Sequence, residues 1–258
     1  MRLVTFILTG LLAVWGGGAR FASAQSAGDH VAAGDRDHAA RNAQGALAHY
    51  EAALALDSTN SDVLIKAAFD AVDLGEFTPN SEQRTSLFRR GEHYARLAVA
   101  ANPRSAEAHF QLARALGRTA LSLGPRDRVK YAREVRDEAL AALAIESRHA
   151  GALHVMGMWN AEVMRLSGLS RFFATNFLGG DIFSQASWKE AVRYMEKAVE
   201  VDPKRIVHRL DLAKVYIDDK QKDKAREQLQ LVIDGPITDF NDQHYKDDAK
   251  AQLDKLGK

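Results

Sequence analysis

The sharpest pattern of apolar and polar positions lies in the stretch Trp188–Pro203. Ala191, Met195 and Ala198 recur at the spacing of one helical face, with charged residues between them. The two alanines let a neighbouring helix approach closely, and the methionine fills the space between them. Pro203 cannot continue a helix, so it ends the element. The stretch therefore predicts an amphipathic helix that packs against a close neighbour.

Four further copies of this pattern occur along the chain, with the same intervals between the three stripe residues and a closing proline or serine. They are Ala46, Tyr50, Ala53 and Ser58; Gly91, Ala95, Ala98 and Pro103; Val135, Ala139, Ala142 and Ser147; and, more loosely, Ala225, Leu229, Val232 and Pro236. The copies resemble the tetratricopeptide repeat, a helix–turn–helix unit of about 34 residues that stacks into a solenoid. The resemblance implies an all-α fold, a right-handed α-solenoid of about five helix pairs with a C-terminal capping helix.

The predicted helices fill one repeat domain, residues 25–258. The helix pairs cover about 27–57, 61–102, 106–147, 150–202 and 206–234, and the capping helix covers 241–256. Gly124 and Pro125 are expected to end the helix that precedes them. The segment Ser167–Ser187 is predicted to be a true insertion, because three glycines interrupt it.

A more specific resemblance rests on His154, Gly157 and Trp159, followed by the aromatic insertion and by Ala198 and Pro203 five residues apart. These features, in this order, resemble the regulator of microtubule dynamics family and its bacterial relatives. The resemblance extends from about residue 34 to residue 255. It implies a tetratricopeptide array without enzymatic activity that serves as a binding adaptor. Eukaryotic members are associated with microtubules and organelle membranes.

The first 24 residues have the features of a secretory signal peptide. Arg2 precedes the apolar run Leu3–Trp15, and Ala22 and Ala24 form a small-x-small cleavage site before Gln25. The alternative, a membrane anchor, needs roughly 20 apolar residues. We therefore expect export to the periplasm or the extracellular space, with no transmembrane span after cleavage. Export argues against a microtubule partner.

Composition and motifs give no support to catalysis. The 35 Lys and Arg residues balance 34 Asp and Glu residues, so no nucleic-acid partner is indicated. The absence of cysteine excludes disulfides and thiolate chemistry. The nine histidines lack zinc-site spacing, and no serine lies in a nucleophile elbow. No catalytic, cofactor or metal residue is predicted, and we do not expect an enzyme. A hydrolase with an unrecognised site stays open, because the absence of a motif is weak evidence.

In proteins of the resembled repeat class, positions 2, 5, 9 and 12 of each first helix line the concave face. In four repeats these positions hold Asp62, Ile65, Phe69 and Val72; Glu107, Phe110, Arg114 and Gly117; Gly151, His154, Met158 and Ala161; and Val207, Leu210, Lys214 and Ile217. The candidate binding residues among them are Ile65, Phe69, Phe110, Arg114, His154, Met158, Leu210 and Lys214. They predict a largely apolar groove in which Arg114 and Lys214 are the only cations. The Lys and Asn pattern that clamps a terminal carboxylate is absent.

The insertion at residues 167–187 is too apolar for a free loop. Its candidate lid residues are Phe172, Phe173, Phe177 and Phe183. The first three are predicted to pack toward the groove near Phe110, Met158 and Trp159. Either the insertion simply fills the groove, or the groove and the insertion together hold an apolar ligand.

Two functional hypotheses follow from the groove and the insertion. The leading one is an exported, non-catalytic binding or scaffold protein that uses the groove for a protein partner. The alternative is a carrier or sensor of an apolar ligand such as a lipid, with the insertion as its lid.

Overall fold

The computed structural model describes residues 25–167 and 181–257, which form twelve α-helices and no strand. The predicted all-α class is therefore confirmed. The helices are α1 Ala27–Ala39, α2 Ala43–Leu56, α3 Ser61–Glu76, α4 Ser81–Ala101, α5 Ala106–Leu121, α6 Pro125–Ile145, α7 Ala150–Arg165, α8 Asp181–Ser184, α9 Trp188–Val201, α10 Ile206–Asp218, α11 Lys222–Asp234 and α12 Asp242–Leu256.

Ten of these helices form five stacked pairs, in keeping with an α-solenoid. The pairs are α1/α2, α3/α4, α5/α6, α7/α9 and α10/α11, and α12 packs on the last pair. The first helices α3, α5, α7 and α10 also contact one another in turn, so they form one continuous inner face. None of the described helices combines the length and the hydropathy that crossing a membrane would require.

Small residues at the helix crossings hold the pairs together, as the repeated pattern predicts. Ala191, Met195 and Ala198 are all fully buried on α9. Met195 lies directly over Gly157 of α7, where any side chain would collide with the methionine Cγ and Sδ. Because the fit is this close, position 157 of the α7/α9 crossing accommodates only glycine without a shift of Met195.

Most helices begin at a polar capping residue, which explains the regular helix–turn boundaries. The side chains of Asn60, Asn80, Ser105 and Ser187 each accept a hydrogen bond from a backbone N–H in the first turn. Gly124 and Pro125 follow the end of α5 at Leu121, as expected, and Pro125 is also the first residue of α6. A proline fits there because the first helical N–H needs no partner within the helix.

Two predicted segments fall partly or wholly outside the described residues. These are the signal peptide, residues 1–24, and the part of the insertion that contains Phe172, Phe173 and Phe177. The end of the insertion is described and contains α8. Its residues Ile182 and Phe183 are buried in the largest core cluster, beside Trp159.

The chain after α11 returns to the beginning of the array. We call residues 235–245 the closing segment. Asn241 Nδ2 donates a hydrogen bond to the backbone oxygen of Asp73 at 3.0 Å, and Arg41 Nη1 donates to the backbone oxygen of Ile237 at 3.4 Å. These contacts join residues 168 and 196 positions apart in the sequence. A simple solenoid has only contacts between neighbouring repeats, so the closing segment is an added tie between the two ends.

Side chains of α12 complete this closure. The ring of Phe77, at the end of α3, stacks on His244 with centroids 4.3 Å apart and meets Tyr245 edge-on at 5.5 Å. Asp242 holds the turn before α12, since its Oδ2 accepts hydrogen bonds from the backbone N–H groups of Thr238 and Asp239. The capping helix therefore covers the last repeat and also reaches the second.

Candidate functional site

A groove of about 570 Å³ runs along the inner face between α3, α5, α7 and α10. One of its ends meets the closing segment at Phe69, Arg205 and Tyr245. The other end reaches the wall formed by Trp159 and Phe183. The groove therefore lies where four first helices meet, which is the face that the resemblance to the repeat class indicates.

The predicted site residues divide into two groups. Phe69, Phe110, Arg114, His154, Met158 and Phe183 line the groove, whereas Ile65, Leu210 and Lys214 do not. Leu210 is only 1% exposed, because α12 packs over it through Tyr245 and Ala249. Lys214 instead forms ion pairs with Asp211 at 3.2 Å and with Asp248 of α12 at 3.0 Å. Counting repeat positions places Leu210 and Lys214 of α10 on the inner face. It does not reveal that the capping helix α12 packs against them.

Ile65 lies away from the groove, partly buried against the core cluster of the first two repeats. Phe172, Phe173 and Phe177 lie outside the described residues. Phe183 is 2% exposed, and its ring stacks parallel to that of Trp159 with centroids 6.2 Å apart. The Trp159 indole N–H donates to the backbone oxygen of Ala132 at 2.7 Å, which fixes the ring. This end of the groove is thus a rigid aromatic wall.

The groove contains more charged residues than positions 2, 5, 9 and 12 of the four first helices predict. Arg118, Arg128, Arg148 and Arg205 line it in addition to Arg114, whereas Lys214 lies outside it. Five acidic residues also line it: Glu107, Glu146, Glu162, Asp202 and Asp211. The added residues come from other positions of the helices and from the turns before α7 and α10. The expectation of only two cations was wrong for this reason.

Most of these charges already have a partner on a nearby residue. Asp73 binds Arg114, and Arg118 lies 2.6 Å from Glu76. Glu162 and Arg165 pair at 2.5 Å. The guanidinium of Arg114 also lies over the ring of Phe69, 4.9 Å from its centroid. Paired charges leave the groove close to neutral and reduce its pull on a strongly charged ligand.

The apolar surface between the charge pairs is formed by partly exposed side chains. Phe110 lies over Gly151, where a Cβ atom would collide with the ring, and contacts the His149 ring at 5.0 Å between centroids. Leu121, at the end of α5, is 37% exposed although it is a large apolar residue. Met158 of α7 contributes to the same surface. The lining of the groove therefore combines apolar side chains with charged side chains that are mostly in ion pairs.

A buried polar group lies where α7 meets α10. Nε2 of His154 is 3.0 Å from Oδ2 of Asp211, and the rings of His154 and His208 stack with centroids 4.8 Å apart. Burial alone would raise the pKa of Asp211, but Lys214 and His154 hold it well below its ordinary value. Burial lowers the pKa of His208 well below 6.5, so this ring is neutral near pH 7.

Within residues 25–167 and 181–257, no three His, Cys, Asp or Glu side chains are grouped so that they could hold a metal ion. Sequence reasoning missed Arg118, His208 and Asp211 as groove residues. Arg118 follows the predicted Arg114 by one helical turn, which was a usable signal. His208 and Asp211 needed the three-dimensional contact between α7 and α10.

Comparison with known proteins gives a family and a fold. The family model described as Regulator of microtubule dynamics protein 1-3 matches residues 27–257. Among solved structures, TTC0263, a thermophilic TPR protein of Thermus thermophilus, superposes with a TM-score of 0.64 at 18% identity, covering 88% of this chain and 100% of that one.

Two other solved structures are less similar. MamA from Desulfovibrio magneticus RS-1 has a TM-score of 0.45 at 13% identity, covering 79% of this chain and 91% of that one. YrrB, described as a TPR protein with an unusual peptide-binding site, has a TM-score of 0.43 at 16% identity, covering 86% and 92%. A search of curated proteins finds no significant match.

Proposed function

The chain belongs to the family of regulator of microtubule dynamics proteins 1-3, and from this premise we propose that it is a non-catalytic binding protein whose inner groove holds an extended segment of a partner protein. The observation that carries the proposal is the groove itself. It is open, about 570 Å³ in volume, and its lining combines apolar side chains with charged ones. That volume lies within the usual range of ligand sites.

An extended polypeptide matches such a floor better than an acyl chain does. A peptide alternates apolar side chains with amide groups, and both find partners here: Phe110, Leu121 and Met158 for the first, and charged side chains for the second. Ten charged side chains line the groove, most of them already paired, and an acyl chain would cover them without adding a hydrogen bond, whereas a peptide amide can add one. The lipid-carrier hypothesis is therefore the weaker of the two, and native mass spectrometry of the purified protein would detect a retained lipid.

The closing segment provides a second line of support, because it is itself a stretch of polypeptide on the inner face. Arg41 donates to its backbone oxygen at Ile237, and Arg205 pairs with its Asp239 at 2.6 Å. Arg205 also lines the groove, so the seat of this segment and the groove are continuous. A surface that binds the chain's own closing segment in this way would also bind an extended segment of a partner protein.

We also propose that the protein acts after export, with Gln25 as its first residue. This proposal rests on the sequence of residues 1–24 alone. Sequencing the N-terminus of the exported protein tests it, and an intact Met1 in a membrane fraction would contradict it.

The binding proposal is tested with a phage-displayed library of dodecapeptides selected on the purified protein. Two leucines of nearly equal exposure provide a matched pair: Leu121, 37% exposed in the groove, and Leu97, 40% exposed on the second helix α4 and away from it. Leu121→Glu should weaken binding of a selected peptide at least tenfold, since it places a charge on the apolar floor, whereas Leu97→Glu should leave the affinity unchanged. Isothermal titration calorimetry measures both. Failure to select any peptide, or equal effects at the two sites, would overturn the proposal.

A further inference from the structure

One glycine in the groove has no structural reason to be a glycine. Gly117 lies in the interior of α5, where glycine is unfavourable relative to alanine. A Cβ atom built on Gly117 would meet no heavy atom within 4 Å. Six other glycines in described helices differ from it, because a Cβ there would collide with a neighbouring side chain. They are Gly34, Gly45, Gly75, Gly91, Gly151 and Gly157.

The open space above Gly117 is part of the groove. Gly117 lines it, and so do Arg114 and Leu121, which lie one helical turn before and after it on the same face of α5. Met158 and Leu166 line the groove from α7 and its end. A missing side chain at this point widens the groove beside the exposed Leu121. Glycine is also the residue that lets a ligand approach the helix backbone most closely.

Three charged side chains that line this groove are already in ion pairs. Arg114 binds Asp73, Arg118 binds Glu76, and Glu162 binds Arg165. A charged ligand group placed here would have to compete with an existing ion pair. An apolar group would instead cover Leu121, which is 37% exposed.

We propose that Gly117 is the floor of a subsite that accepts one bulky apolar side chain, leucine, methionine or an aromatic residue, of the extended polypeptide bound in the groove. This inference rests on the proposed function and adds a specificity determinant to it. The occupant is a polypeptide because the groove continues from the seat of the closing segment, through Phe69 and Arg205, to this subsite.

Substitutions at Gly117 separate binding from stability. Leucine is a far better helix former than glycine, and the space is open, so Gly117→Leu should have a melting temperature equal to or above that of the wild type. Gly117→Ala should raise it by about 2–4 °C. Both fill the subsite: affinity for a peptide selected from the dodecapeptide library should fall about threefold for alanine and at least tenfold for leucine. Peptides selected on the wild type should share one bulky apolar position.

Gly28 of α1 is the matched control, since it is exposed and its Cβ would make only an ordinary contact, 3.7 Å from Ser26 Oγ. Gly28→Leu should leave peptide affinity unchanged. If peptides bind the wild type and Gly117→Leu equally well, or if the selected peptides share no bulky apolar position, the subsite is wrong while the binding function stands. If no peptide binds the wild type at all, the proposed function fails first.

Discussion

Asp73 on α3 and Asp211 on α10 are both nearly fully buried and both bonded to a cation, yet their pKa values are shifted in opposite directions. Burial raises the pKa of Asp73 to about 6, against the lowering effect of Arg114, and Asp239 of the closing segment adds to the rise. The pKa of Asp211 is held well below its ordinary value, because Lys214, His154 and Arg118 outweigh burial. Burial therefore decides the shift at Asp73, beside the closing segment, whereas neighbouring cations decide it at Asp211.

The closing segment and the open groove also differ in packing. At the closed end of the inner face, where the closing segment lies, Asn241 is 1% exposed and Tyr245 is 7% exposed. In the open groove Phe110 is only partly buried, and Leu121 is 37% exposed. The closing segment thus contributes to stability, and the groove leaves surface for a ligand. This contrast predicts that equivalent substitutions will have different consequences in the two regions.

The largest expected difference is between two aromatic residues. Tyr245→Ala should cost about 3–5 kcal/mol of unfolding free energy, because the ring is buried between α10 and Phe77. Phe110→Ala should cost only roughly 1–2 kcal/mol, since part of that ring already faces water. Urea denaturation of both variants measures the two values. Equal losses would mean that the closed end is no better packed than the groove.

A smaller effect is expected for the polar tie between the two ends. Asn241→Ala removes the hydrogen bond to the Asp73 backbone oxygen in a buried setting and should cost about 1–2 kcal/mol. The exposed Gln243, two residues later, is the control, and Gln243→Ala should change stability by less than about 0.5 kcal/mol. Hydrogen exchange should show faster exchange in the closing segment of the Asn241 variant alone. Wild-type exchange rates in the closing segment of the Asn241 variant would show that this hydrogen bond does not hold the segment in place.

The smallest effect is one of pH. Nδ1 of His38 donates a hydrogen bond to Oδ1 of Asp70 at 2.9 Å, which raises the pKa of His38 above 6.5, and Asp239 and Asp73 act in the same direction. Its contribution to stability is complete below pH 6.5 and is lost as pH rises through the folded-state pKa. The lowered pKa of His208 has the opposite consequence, since a cost to stability appears as pH falls below 6.5.

Histidine titration by NMR tests this contrast directly. The imidazole of His38 should titrate above pH 6.5 and that of His208 below it, and the variants His38→Gln and His208→Gln assign the two signals. His38 is partly exposed, with 45% of its side chain accessible, so its shift should be reduced by added salt. If the two histidines titrate in the reverse order, the contrast between the electrostatic surroundings of His38 and His208 is wrong.

Much of the array follows from local pattern, but the closure does not. The stripe of Ala191, Met195 and Ala198 recurs at every crossing because each repeat solves the same packing problem with nearest neighbours. Asn241 was predicted only as the beginning of a polar cap, since nothing near it in the sequence indicates a partner 168 residues away. Leu210 was placed in the groove for the same reason, because its cover comes from α12. Local periodicity predicts what neighbours do, and long-range contacts need the structure.

The groove was predictable in part. Counting along the first helices placed Phe110, Arg114 and Met158 on the correct face, and it also placed Gly117 there. The counting could not distinguish a glycine required by a neighbouring side chain, such as Gly151, from one with open space above it, such as Gly117. That distinction depends on the position of Phe110 on α5, which packs against Gly151 of the next first helix, α7. It is the kind of information that separates a packing residue from a specificity residue.

The tie between Asn241 and Asp73 also bears on how this protein can evolve. Open solenoids gain and lose repeats readily, because each unit touches only its neighbours and any number of units gives a sound structure. Here the last segment must arrive at the second repeat, and Arg205 must meet Asp239 on the way. Duplicating or deleting a single helix pair would carry Asn241 past its acceptor. A change in the number of repeats would thus break this tie, whereas changes of side chains along the groove would leave it in place.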